Sequence, residues 1–124
     1  VLPGSLGHSE FAGTEVRRAQ AAQRRLERRH EDALETATAF AHRLCTEFGA
    51  TEVILFGSVL YPDRFTFRSD IDLAVRGLGP SAFLAAYGQA MDGEIPVDLV
   101  DLDGDAVRPE VLGSIVREGR HLEP

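Results

Sequence analysis

The chain has 124 residues, 44% of them hydrophobic and 27% charged, with a formal net charge of −7. That length suits one compact domain and leaves no room for a second, large substrate-binding domain. One cysteine excludes a disulfide framework and a cysteine zinc site. No run approaches the roughly 18 apolar residues of a membrane-spanning helix. The N-terminal string VLPGSLGHSEF lacks the basic start and apolar stretch of a signal peptide. A reducing, cytoplasmic setting is the expectation.

The charge is unevenly placed. Residues 1–48 carry seven Arg and seven acidic side chains, whereas residues 49–124 carry six Arg and 13 acidic ones. An acidic half of this kind has no general attraction for nucleic acid, and handling phosphates there calls for metal ions.

Residues 1–14, with three Gly, one Pro and two Ser, read as a loose lead-in. From Glu15 to Phe48 there is no Gly or Pro, and Val16, Ala19, Leu26, Ala33, Ala37, Phe40, Leu44 and Phe48 recur at helical spacing. This predicts a long helix over 15–48, or two with a soft break near His30. Thr14 is placed to cap its start, and Gly49 to end it. Six of its arginines fall between residues 17 and 29, most simply a solvated face, with docking of an acidic partner as the functional alternative.

The period then changes. Glu52-Val53-Ile54-Leu55-Phe56 is a short, β-branched, apolar strand that stops at Gly57. Asp70 to Val75 alternates, setting Ile71, Leu73 and Val75 on one face and Asp70, Asp72 and Ala74 on the other. Pro80 to Met91 reads as a helix burying Phe83, Leu84, Tyr87 and Met91, followed by a turn at Asp92-Gly93. Ile95 to Leu99 is a third strand containing Asp98. A last helix over 109–118 buries Val111, Leu112, Ile115 and Val116 and stops at Gly119. The expected fold is α/β (α+β), a small mixed sheet flanked by helices, with 49–124 as the catalytic core of a single domain.

Asp70, Asp72 and Asp98 stand at strand positions otherwise used for packing. Carboxylates gathered this way repel one another, and burial raises the cost. A hard divalent cation such as Mg²⁺ relieves it and bridges carboxylates to substrate phosphates; three carboxylates can hold two such ions. A DxD pair alone says little in an Asp-rich chain, and Asp101–Asp103 and Asp103–Asp105 read as an acidic loop. Gly57-Ser58 offers the second element, since glycine admits close backbone approach and a following helical turn presents N–H groups to phosphate. His8, His30, His42 and His121 lack metal-ligand spacing and fit surface or capping roles. Cys45 reads as core filler.

In order, ILFGS, SDIDLAV and PVDLVDL resemble the nucleotidyltransferase superfamily with the DNA polymerase β fold. Eleven residues separate Ser58 from Asp70, and the resemblance covers roughly residues 36–122 through the closing REGRHL. It is nearest in kind to the minimal nucleotidyltransferases of bacteria and archaea. The resemblance implies two Mg²⁺ ions held by Asp70 and Asp72, with Asp98 as a further ligand that helps deprotonate the acceptor hydroxyl. It implies that Gly57 and Ser58 grip the β- and γ-phosphates of a nucleoside triphosphate, ATP above all. GSVLYPDR departs from the family's GSRARG-like string, with Tyr61 and Pro62 where Arg-Gly falls; Arg64 or Arg68 would then supply the missing cation. Such small enzymes are commonly antitoxins that transfer AMP to a tyrosine of a HEPN-domain toxin. The alternative function is a binding module of the same fold that neutralises a partner by occlusion. No membrane association is expected.

Overall fold

The computed structural model describes residues 3–123, and their side chains from residue 12 to residue 122. The elements run α1 (Pro3–Thr46), β1 (Glu52–Phe56), a single 3-10 turn (Ser58–Leu60), β2 (Ile71–Arg76), α2 (Pro80–Met91), β3 (Val97–Asp101), α3 (Pro109–Glu118) and β4 (Arg120–Glu123). The sheet order is β3-β2-β1-β4. β1 is antiparallel to β2 and to β4, whereas β2 and β3 are parallel. A parallel pair needs a crossover, and α2 supplies it.

Both faces of the sheet are covered. Val53, Leu55, Ile71, Leu73, Val75, Val97 and Leu99 pack with Ala33, Ala37, Phe40, Ala41 and Leu44 of α1 and Ala86 and Ala90 of α2. On the opposite face Ile54, Phe56 and Ala74 pack with Ile115 of α3. Burial on two sides explains why β1 and β2 lack a clean polar alternation.

The long helix differs from expectation at its start. It begins at Pro3, so the lead-in expected over 1–14 is helical wherever it is described, while residues 1 and 2 lie outside the described residues. Pro is well placed in a first helical turn, and isolated glycines cost a helix only about 1 kcal/mol each. Thr14 is therefore no N-cap; its hydroxyl accepts from Arg17 at 3.3 Å. No break falls at His30. Residues 15–20 are exposed all round, Val16 and Ala19 included, because the core begins to cover α1 only near Leu26. At the other end Gly49 does take the left-handed conformation, with φ 83°, and lets Ala50 N–H donate to the Leu44 carbonyl at 2.9 Å.

α2 and α3 keep their expected bounds but not all of their expected faces. In α2 the small residues Ala82, Ala86 and Ala90 turn inward with Phe83, while Leu84, Tyr87 and Met91 are exposed. Two apolar stripes run along this helix, and the one made of the three alanines and Phe83 is the one packed into the core. In α3 Ile115 is buried and Val111 partly so, but Leu112 and Val116 face outward. β3 starts two residues later than expected, at Val97, and extends to Asp101. β4 was not expected at all. Among the described residues no helix is long and apolar enough to cross a membrane.

Candidate functional site

β2 and β3 run side by side in a register that sets Asp72 directly beside Asp98, and β1 sets Phe56 opposite Asp72. Because side chains alternate along a strand, Asp72 and Ala74 share the α3 face of the sheet with Asp98 and Val100. α3 covers the middle of that face and stops short of the two carboxylates. The result is a cleft of about 370 Å³ whose lining includes Phe56, Gly57, Asp72, Asp98, Arg108 and Ser114.

Asp72 is half-buried, and among the described residues its carboxylate makes no hydrogen bond or ion pair. Burial, then the charges of Asp98 and Asp70, push its pKa from 3.8 up to about 6. The other DxD pairs are spent differently. Asp101 accepts from the Asp103 amide at 3.0 Å, and Asp103 accepts from the Gly77 amide at 2.7 Å and faces Arg76 at 3.5 Å. They shape the loop after β3, and the unpartnered charge is left at Asp72.

Gly57 follows β1 with φ 83° and ψ −160°, a region that only glycine enters without strain. A Cβ there would collide with Asp72 Oδ2 and lie 3.0 Å from its Cγ. The loop thus passes hard against the carboxylate that the sheet supplies. Ser58 opens the 3-10 turn, which ends at Leu60, before Pro62 would interrupt it. Gly57, Asp72 and Asp98 therefore line one cleft. Ser58 follows Gly57 in sequence but is not among the residues lining the cleft, and Asp70 stands exposed just ahead of β2, near enough to act on the titration of Asp72.

The expected cations are placed elsewhere. The Arg64 guanidinium lies 4.4 Å above the Tyr61 ring, and Arg68 belongs to the 66–69 turn, where its amide donates to Thr66 Oγ1 at 3.2 Å. Neither lines the cleft. Arg108, immediately before α3, does, and among the described residues its ion pair is a loose one of 3.8 Å to the exposed Glu110. Sequence reasoning missed Arg108 because its nearness to Asp72 and Asp98 depends on how α3 returns across the sheet. His30, expected in a surface or capping role, instead has its Nε2 2.7 Å from the Val59 carbonyl.

Among the described residues no group of three or more His, Cys, Asp or Glu is gathered closely enough to form a ready-made metal cage. The donor set still fits Mg²⁺, which keeps several waters and takes one or two carboxylates together with substrate phosphates. Asp72, desolvated and next to Asp98 without a partner, supplies such a pair.

No protein-family model and no curated protein match the chain. Solved structures do. A mutant form of the toxin-antitoxin MntA-HpeT aligns with a TM-score of 0.52 at 24% identity, covering 66% of this chain and 68% of that one. A toxin-antitoxin with AMP-PNP aligns with a TM-score of 0.54 at 25% identity, covering 69% of this chain and 72% of that one. The fold is the mixed-sheet nucleotidyltransferase fold. In this chain it carries a long N-terminal helix.

Proposed function

We propose that this chain is a Mg²⁺-dependent nucleotidyltransferase that serves as the antitoxin of a toxin–antitoxin pair, moving AMP from ATP to a tyrosine hydroxyl of a HEPN-type toxin. The observation that carries the reading is the Asp72–Asp98 pair on neighbouring parallel strands, roofed by a glycine that tolerates no side chain. The AMP-PNP in one structural neighbour supports a nucleotide in the cleft, and the toxin-antitoxin identity of both neighbours supports a protein partner.

Asp72 and Asp98, with Asp70 beside them, would hold the metal, which when bound neutralises phosphate charge and aligns the reacting groups. Gly57 and Ser58 would receive the β- and γ-phosphates through backbone N–H groups and the serine hydroxyl. The acceptor oxygen attacks the α-phosphorus, its bond to the β-phosphate oxygen breaks, and pyrophosphate leaves. The hydroxyl proton passes to the Asp98 carboxylate. Phe56 and Val100 form an apolar floor that limits water beside the reacting phosphorus.

Arg108, which lines the cleft, would meet the triphosphate in place of the Arg-Gly that Tyr61 and Pro62 replace. Arg108→Ala is expected to raise the KM for ATP about tenfold, whereas Arg64→Ala and Arg68→Ala should leave it within about twofold. Steady-state kinetics on the three variants checks the ranking.

The reaction itself is tested by intact-mass spectrometry of the product of the neighbouring gene, as the candidate toxin, after incubation with the protein, ATP and Mg²⁺. A gain in whole AMP units, absent with Asp72→Asn, is the expected result. A stable complex that silences the toxin with no change in mass would overturn transfer and establish neutralisation by occlusion.

A further inference from the structure

The 3-10 turn that carries Ser58 is too short to hold itself. It spans three residues and closes with two backbone bonds, Leu60 N–H to the Gly57 carbonyl at 3.2 Å and Tyr61 N–H to the Ser58 carbonyl at 3.0 Å. A single turn of helix fixes several dihedral angles for very few hydrogen bonds and is unstable alone. Something outside the turn must fix it.

That support comes from α1. His30 Nε2 lies 2.7 Å from the Val59 carbonyl, 29 residues away in sequence. A carbonyl only accepts, so Nε2 carries the proton and the tautomer is set by the contact. The imidazole meets the Phe65 ring edge-on, with centroids 5.0 Å apart, and Phe65 is itself buried. The Val59 side chain is buried beneath the same turn. His30 is therefore held on one side by packing and on the other by a backbone bond to the turn next to Gly57 and Ser58.

The geometry points to His30 as a positioning residue for phosphate binding, one that clamps the Gly57-Ser58 turn in its receptive conformation from outside the 49–124 core. It rests on the nucleotide reading given above. Loosening the clamp would leave only a fraction of molecules competent, and the apparent dissociation constant rises by the inverse of that fraction. With about one molecule in ten competent, ATP would bind about tenfold more weakly.

His30→Phe keeps an aromatic ring against Phe65 and removes the donor. His30→Gln places an amide N–H near the position of Nε2 and restores one. Two readouts are needed: ATP affinity in the presence of Mg²⁺, and hydrogen exchange at the Leu60 and Tyr61 amides without nucleotide. H30F should weaken ATP about tenfold and, with most molecules open at the turn, bring exchange at those two amides close to the unprotected rate. H30Q should lie within about twofold of wild type in both. Should H30F fail to fold, His30→Asn, whose shorter amide stops short of Val59, serves the same comparison. Unchanged exchange in the folded variant would overturn the clamp; faster exchange with unchanged ATP affinity would overturn its role in phosphate binding. A wild-type protein that binds no ATP would overturn the nucleotide reading instead, with the exchange rates still deciding whether His30 clamps the turn.

Discussion

Asp72→Asn is expected to abolish nucleotidyl transfer, by at least about 10³-fold, while making the fold more stable at neutral pH. Both effects come from one feature. The sheet holds Asp72 half-buried beside Asp98, with Asp70 near and no hydrogen-bond partner among the described residues, so its charge is disfavoured in the folded chain and its pKa rises from 3.8 to about 6. Between about pH 4 and pH 6 the folded chain binds this proton more tightly than the unfolded chain does. Stability therefore falls as pH rises through that window and stays lowered above it. Two pH units felt in full would amount to about 3 kcal/mol, and solvent screening at a half-exposed carboxylate reduces this to about 1–2 kcal/mol. The neutral amide removes the penalty and should raise Tm at pH 7.5 by about 3–8 °C, with little gain at pH 4. Mg²⁺ should distinguish the two proteins. At ten times its dissociation constant it adds about 1.4 kcal/mol to the wild type and close to nothing to the variant. Thermal melts at both pH values, with and without Mg²⁺, check all of this. An amide variant less stable than wild type at pH 7.5 would show that Asp72 is a structural carboxylate.

Such a trade of stability for chemistry explains why part of the site can be read in the sequence. A carboxylate alternating with Ile71, Leu73 and Val75 on a strand is a local conflict, and local conflicts mark function. Strands β1 and β2 and the bounds of α3 were likewise legible, because their periods and punctuation (Gly57, Pro109, Gly119) act over a few residues. What could not be read depends on long-range packing. β4 is short and polar, Arg120-His121-Leu122-Glu123, and becomes a strand only because the outer edge of β1 is free to pair. The inward face of α2 carries Ala82, Ala86 and Ala90 with Phe83, and leaves Leu84, Tyr87 and Met91 exposed, a choice between two apolar stripes that only packing against α1 and β3 makes. Arg108 and Asp72 lie 36 positions apart in sequence and share a cleft only after α3 folds back across the sheet. The same holds for His30, which a helical pattern presents as one more polar position, and which the fold places on the Val59 carbonyl.

Gly57→Ala should both destabilise the chain and abolish transfer. Its backbone, at φ 83° and ψ −160°, lies where an L-residue is strained by about 1–3 kcal/mol. The new Cβ would also overlap Asp72 Oδ2, so either the loop or the carboxylate must move. Moving the loop opens the cleft, and moving the carboxylate separates it from Asp98; transfer is lost in both cases, and Tm should fall by about 10 °C. The two causes can be separated. Asp72→Ala removes the carboxylate that the methyl meets but leaves the backbone strain in place. If the collision matters, Gly57→Ala should cost less stability in the Asp72→Ala background than in the wild type, with a coupling of about 1 kcal/mol in a double-mutant cycle. If the two substitutions are additive, the loop does not press on Asp72, and the glycine is needed for its backbone conformation alone. A coupling of the expected size would show that the turn after β1 and the carboxylate on β2 are built against each other. The cleft would then be a single rigid unit in which neither the phosphate loop nor the DxD strand can shift alone.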